Sequence, residues 1–344
     1  MLISAPGRST TAQRGAFWSI STAVRSCRRA GRDTGRRRTA TTGQGAVALL
    51  GPATPPLSIP VSFAAEALQV PAMLTITPIR AWQGAKEDGW QWSWDLFFDE
   101  EQMTETQFLA ADLVETNRRV ALFTDLEEDG IVMGDLWDDR APDFGYEIVY
   151  RAEFPADAAD LAGQVSEAMA ADADIVIAQV IPPTGAALLE EFERQGWAPR
   201  LVFLEKAANT GAWPALTGGR GEGTLAANWF AEGNGTPHEA VFIDAYREPL
   251  GGVDSNLGVI VWGYSAARVL LDALERAGSV DPHALNEAIA STDGEYPAGR
   301  VRFDAGHASA HPAVQTQWQG TDMVLVMHAD GSAGPAALRV PAIR

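Results

Sequence analysis

The chain has 344 residues, of which 46% are hydrophobic and 21% charged, and it carries a formal net charge of −19. A chain this long exceeds what one hydrophobic core organises, so two lobes are expected. The negative charge argues against nucleic acid as a partner, and no apolar run reaches the roughly 18 residues that a membrane helix needs.

The charge is unevenly divided. Residues 1–45 hold nine Arg against one acid, Asp33, which leaves 17 basic and 44 acidic residues, a net −27, for the remainder. This opening has no helical or strand period and reads as a disordered or misassigned Arg-rich tail. Gly15–Val24 is too polar for the apolar core of an export signal, and the residues before Cys27 make a poor lipid-attachment box, so no convincing signal peptide is present. Cys27 is the only cysteine, which leaves neither a disulfide nor a cysteine zinc cluster.

Order is expected from Ala46. Ala46–Leu50 reads as a buried strand ending at Gly51-Pro52, Ser58–Leu68 as a helix and Ala72–Ile76 as the next strand. In Trp90-Gln91-Trp92-Ser93-Trp94, strand alternation would put three indoles on one face, and that face is read as core. Glu100–Asn117 follows as a helix. Short apolar runs then recur at Val120–Phe123, Ile148–Tyr150, Ile175–Ile177 and Leu201–Phe203, their starts 28, 27 and 26 residues apart. Each spacing leaves room for one helix and two loops. Leu161, Val165, Ala168 and Met169 share one helical face, as do Leu188, Leu189 and Phe192, with Asp157 opening the first helix and Gly196 closing the second. Alternating strands and helices imply a doubly wound α/β lobe with right-handed crossovers. Ligands of such sheets sit beyond the carboxyl ends of the strands, which singles out Asp125–Gly130, Gln179–Thr184 and Glu205–Asn209.

After Glu205 the pattern loosens. Gly218, Gly219, Gly221 and Gly223 lack the spacing of a dinucleotide fingerprint or a phosphate loop. Thr224–Phe230 reads as a strand, Gly233–Thr236 as a hinge-like loop, and Pro237–Arg247, Asn256–Ala277 and Pro282–Ser291 as helices. Arg300–Asp304, Val314–Trp318 and Met323–Met327 are the last strands. His307 and His311 have no acid beside them as zinc motifs do, and read as surface loop residues. No metal site, no cofactor and no catalytic group is expected.

From Ala46 onward the chain resembles periplasmic binding proteins of the branched-chain amino-acid type, the receptor subunits of ABC importers. The resemblance rests on Gly51-Pro52 after a strand, Val70-Pro71, Thr77-Pro78, Phe97–Gln102 and Arg119–Asp125 with Gly130. It continues through Ala173-Asp174-Ile175-Val176, Tyr264 with Ala273-Leu274 and Ala277-Gly278-Ser279, Gly299–Asp304 and Ala329-Asp330-Gly331-Ser332. It implies a type I fold: two doubly wound α/β lobes joined by three crossing strands, with a small polar ligand held in the cleft between them by hinge closure. The expected lobes are 46–117 with 231–312, and 118–230 with 313–344. Family members begin with a further strand, helix, strand and helix, whose place the Arg-rich tail takes, so the first lobe is expected to be incomplete.

The resemblance also assigns a ligand site. A zwitterion needs hydroxyls and backbone N–H groups for its carboxylate and an acid for its ammonium. The hydroxyls fall on Thr54, with Ser58, and on Thr75 and Thr77. Glu205 matches the acidic position, and two positions that are often aromatic become Asp129 and Ile181. The implied partners are an amino acid or related small polar molecule and a membrane permease, and the implied location is periplasmic. Two other readings stay open. Val259–Ala267 imitates the strand and nucleophile elbow of an α/β-hydrolase, with Ser265 as nucleophile and Asp293 or Asp304 and His307, His311 or His328 completing a triad. A cytoplasmic amide or amino-acid sensor could share the fold.

Overall fold

The computed structural model describes residues 46–247 and 257–340, with the backbone of two short strands, Leu2–Ser4 and Ile20–Ser21. Cys27 and most of the Arg-rich tail, expected to be disordered or misassigned, lie outside the described residues. The chain divides into two compact units: Met1–Asp99, Thr236–His238 and Val259–His311 form the first, and Glu100–Gly235, Glu239–Gly258 and Pro312–Arg344 the second. The sequence reading set its first join at 117/118; the helix Glu100–Ala111 instead groups with the second unit. Packing explains this, because Trp137 of the helix Glu128–Arg140 donates its indole N–H to Gln107 at 3.2 Å.

The first unit is built on a sheet in the order Ala308–Ala310, Ser93–Phe97, Ala72–Thr75, Ala46–Leu50, Leu2–Ser4 and Ile20–Ser21. The first four strands run parallel; Leu2–Ser4 pairs antiparallel with Ala46–Leu50, and Ile20–Ser21 antiparallel with Leu2–Ser4. The helices Pro55–Leu68, Ile79–Gly84, Leu257–Ala277 and Pro282–Ala290 and a hairpin, Asp293–Tyr296 with Gly299–Arg302, complete the unit.

The three indoles of Trp90–Trp94 are all buried, but they do not share a strand face, because the strand begins only at Ser93. Trp90 stacks on Trp82 at 5.5 Å, Trp92 packs with Ala65 and Ala72, and Trp94 stacks on His307 at 3.7 Å. His307 and His311 are likewise not surface residues. His307 is part-buried against Trp94, while His311 is 4% exposed and its Nδ1 meets the Ala298 carbonyl at 3.1 Å.

The second unit carries a seven-stranded sheet in the order Asp322–Met327, Val314–Gln319, Leu225–Asn228, Leu201–Lys206, Ile175–Val180, Arg119–Asp125 and Glu147–Phe154. The last five run parallel, and the first two are antiparallel additions. Strands covered on both sides read as continuous apolar runs, which is why the repeat at Val120, Ile148, Ile175 and Leu201 was visible. One face bears Ala121, Phe123, Val176, Ala178, Val202 and Leu204 against Val165, Leu188 and Phe192 of the helices Ala162–Ala170 and Pro182–Gln195. Gly196 closes the latter helix with φ +67, as expected of a residue tolerant of the left-handed region. The former starts later than expected, capped by Leu161 rather than Asp157.

Candidate functional site

The order of the second sheet fixes where its crevice lies. From Arg119–Asp125 the chain moves to Glu147–Phe154 on one side, then returns to Ile175–Val180 on the other. The connections after Asp125 and after Val180 therefore part to opposite faces at their carboxyl ends, which is where open parallel sheets take ligands. Register sets Thr124 beside Gln179 and Gln179 beside Glu205, with Val180 beside Lys206.

Four side chains meet there. Asp129, in the first turn of Glu128–Arg140, accepts from Lys206 Nζ at 2.9 Å and from Gln179 Nε2 at 3.0 Å on the same Oδ2. Lys206 Nζ also lies 3.6 Å from Asp125 Oδ2. Burial works against the charge of Asp129, but the hydrogen bond and charge of Lys206 outweigh it and hold this carboxyl below the ordinary range. Burial lifts the Asp125 carboxyl, only partly countered by Lys206. Burial likewise opposes the Lys206 charge, and Asp129 and Asp125 overcome it. Lys206 itself has φ +65, a sparsely populated conformation for a residue with a side chain and one that clusters at functional sites. Gly130 is required at the helix start, because a Cβ there would collide with the Asp125 carbonyl and carboxyl groups. Ile181 caps Pro182–Gln195 and is part-exposed at the same strand ends.

Glu205 is placed differently from the sequence reading. The strand Leu201–Lys206 runs past Phe203, so Glu205 lies inside it rather than beyond its end. The residue is 2% exposed. Its Oε1 accepts from Gln107 Nε2 at 2.7 Å and its Oε2 from the Ala227 backbone N–H at 2.8 Å. Burial pushes its carboxyl up to about 7, against those two hydrogen bonds, which pull the other way.

In the first unit the hydroxyls gather after the strands Ala46–Leu50 and Ala72–Thr75. Thr54 is exposed, has φ +70 and precedes the helix Pro55–Leu68 without capping it through its side chain. Thr77 and Ser58 are buried: Thr77 Oγ1 donates to Ser58 Oγ at 2.7 Å, and Ser58 Oγ donates to the Pro52 carbonyl at 3.2 Å. Thr75 is 7% exposed at the end of its strand. The structure thus brings Ser58, Thr75 and Thr77 together as a tie between two loops and leaves Thr54 open. On the neighbouring strand Ser93–Phe97, Asp95 is fully buried, with no hydrogen-bond partner for either carboxyl oxygen among the described residues. Burial holds its carboxyl well above the usual range.

Sequence reasoning named Asp129, Ile181 and Glu205 but not Asp125, Gln179 or Lys206 individually. All three fall in stretches singled out as strand ends, so the available signal was position. The nucleophile elbow is absent, because Val259–Ala267 lies within one helix, Leu257–Ala277. Ser265 is buried and its Oγ accepts from the Ala298 N–H at 3.1 Å. Among the described residues no three His, Cys, Asp or Glu side chains form a metal cluster, and no helix is long and apolar enough to cross a membrane.

A family model described as periplasmic binding protein matches residues 9–322. No curated protein sequence is similar enough to match. Among solved structures, a leucine-binding protein, LivK, from Thermotoga maritima is 20% identical, with 84% of this chain and 81% of that one covered and a TM-score of 0.71. LivJ from Streptococcus pneumoniae, solved with isoleucine, is 16% identical over 85% of this chain and 83% of its own, with a TM-score of 0.71. A solute-binding protein of an ABC transporter from Rhodopseudomonas palustris, solved with 3,4-dihydroxybenzoic acid, is 16% identical over 90% and 85%, with a TM-score of 0.68. At such identities the likeness is one of fold, and that fold is the type I arrangement expected from the sequence.

Proposed function

Because the chain belongs to the periplasmic binding protein family, we propose that it is the solute-binding receptor of an ABC importer, acting in the periplasm on an amino acid or related small polar molecule. The observation that carries this reading is the cluster of Asp125, Asp129, Gln179 and Lys206 at the switch point of the second sheet. The family is one of receptors rather than enzymes, and Ser265 is spent on a backbone N–H in a helix interior. On the first unit the ligand would meet Thr54 and the loop end at Thr75, with Ser58 and Thr77 holding the loops behind them. On the second it would meet Asp129 and Ile181, with Glu205 one layer deeper. Binding would shift the conformational population, and a membrane permease would recognise the liganded form.

Native mass spectrometry of the full chain with a mixture of amino acids, hydroxy acids and small carboxylates tests this reading. One retained solute per chain, lost on dilution, is the expected result. A chain that retains none of them at millimolar concentration would count against the receptor assignment.

A further inference from the structure

An amino-acid receptor must offer an acid whose oxygens are free to meet the ligand's ammonium. In the second unit each candidate acid at the strand ends already has at least one oxygen facing a donor or a cation of the chain. Asp129 Oδ2 already takes the Lys206 ammonium at 2.9 Å and the Gln179 amide at 3.0 Å. Asp125 faces the same ammonium at 3.6 Å. Glu205 is 2% exposed, and both of its oxygens accept from neutral donors, Gln107 Nε2 and the Ala227 N–H. The place where a ligand cation would sit is thus filled by a cation of the chain.

What the cluster lacks is donors. Gln179 is 8% exposed, its Nε2 is committed to Asp129, and its Oε1 has no hydrogen-bond partner among the described residues. Thr124 Oγ1 is likewise buried and without one, whereas Asp125 Oδ2 lacks a hydrogen bond but lies 3.6 Å from Lys206 Nζ. Buried acceptors left unpaired are costly, so they favour whatever brings them a hydrogen. An incoming ammonium could supply hydrogens, but it would face the Lys206 ammonium at close range, where like charges repel. A hydroxyl supplies the same hydrogen bond with no charge.

We propose that Lys206 is a built-in counter-ion occupying the ammonium position, so that the receptor selects solutes carrying a hydroxyl, rather than an ammonium, on the side that faces the second unit. This rests on the solute-receptor reading above and narrows its ligand class. It also reassigns the charged contact: Glu205 does not grip a cationic nitrogen, and the single hydrogen of the hydroxyl goes to Gln179 Oε1.

The experiment is a calorimetric titration of the full chain with matched pairs differing only at one carbon: lactate and alanine, glycerate and serine, 2-hydroxy-4-methylpentanoate and leucine. The hydroxy member of at least one pair should bind at least tenfold more tightly. Lys206→Met should reverse that preference by exposing Asp129 and Asp125 to the ammonium, and Lys206→Arg, which keeps the cation, should preserve it. Lys206→Gln serves as a second neutral variant if the methionine does not fold. Tighter binding of the amino members by the parent, or a preference unchanged in both neutral variants, overturns the proposal and leaves the receptor reading standing. Failure of both series to bind overturns the proposal along with the small-solute reading beneath it.

Discussion

The side-chain amide of Gln107 donates to Glu205 Oε1 at 2.7 Å, so a neutral amide on a helix, rather than a cation, holds the buried carboxyl of the neighbouring strand. Gln107 is fixed in turn by the indole N–H of Trp137 on its Oε1. The chain Trp137, Gln107, Glu205 and the Ala227 N–H therefore ties two helices and two strands of the second unit through one ionisable group.

That arrangement makes stability depend on pH. Burial raises the Glu205 carboxyl from an ordinary 4.5 to about 7, so the folded state keeps a proton that the unfolded chain releases. The stabilisation is complete below about pH 4.5 and is lost as pH rises towards 7, a total of roughly 3 kcal/mol at 1.36 kcal/mol per unit. Urea unfolding at pH 5, 6.5 and 8 should show stability falling across this window. Glu205→Gln should flatten the fall, and an unchanged slope in the variant would show that another group titrates.

Asp95 acts in the same direction from the first unit. Its carboxyl is buried without a hydrogen-bond partner among the described residues, and burial holds its proton on. Asp95→Asn removes the cost of ionisation while keeping the shape. It should stabilise the fold above neutral pH, where the unfolded parent gains by ionising Asp95 and the folded parent does not, and change little at pH 4. Destabilisation at pH 8 would mean that the carboxylate is engaged.

Much of this fold was legible because covered parallel strands appear as short apolar runs at regular spacing. The apolar run from Leu201 is interrupted by Glu205-Lys206, so apolar pattern alone ends the strand early and sets Glu205 outside it, whereas the strand continues to Lys206. Alternation over Trp90–Trp94 predicts one shared face, but the strand begins only at Ser93. Ala308–Ala310 is three residues long and follows Gly306-His307, too brief for periodicity to register. The candidate site was visible as positions, the residues after each strand, but not as chemistry. Nothing in Asp125, Asp129, Gln179 and Lys206 announces that register and a helix start bring them together.

Ser265→Ala tests the hydrolase alternative from the packing side. The change leaves the buried Ala298 N–H without its acceptor, so stability should drop by about 1–3 kcal/mol. Solute affinity should be unchanged, and no ester should be turned over by either form. Esterase activity present in the parent and absent in the variant would make Ser265 a nucleophile.

The central claim, a solute receptor whose second-unit contact lies at Asp129, Gln179 and Lys206, is tested most directly by thermal unfolding of the parent and Gln179→Ala across a panel of small polar solutes. One solute at about 100 times its dissociation constant should stabilise the parent by roughly 2.7 kcal/mol, and Gln179→Ala should weaken that binding about tenfold, the worth of one or two hydrogen bonds. A panel in which no solute shifts the parent, or in which the variant responds as strongly as the parent, would contradict the account.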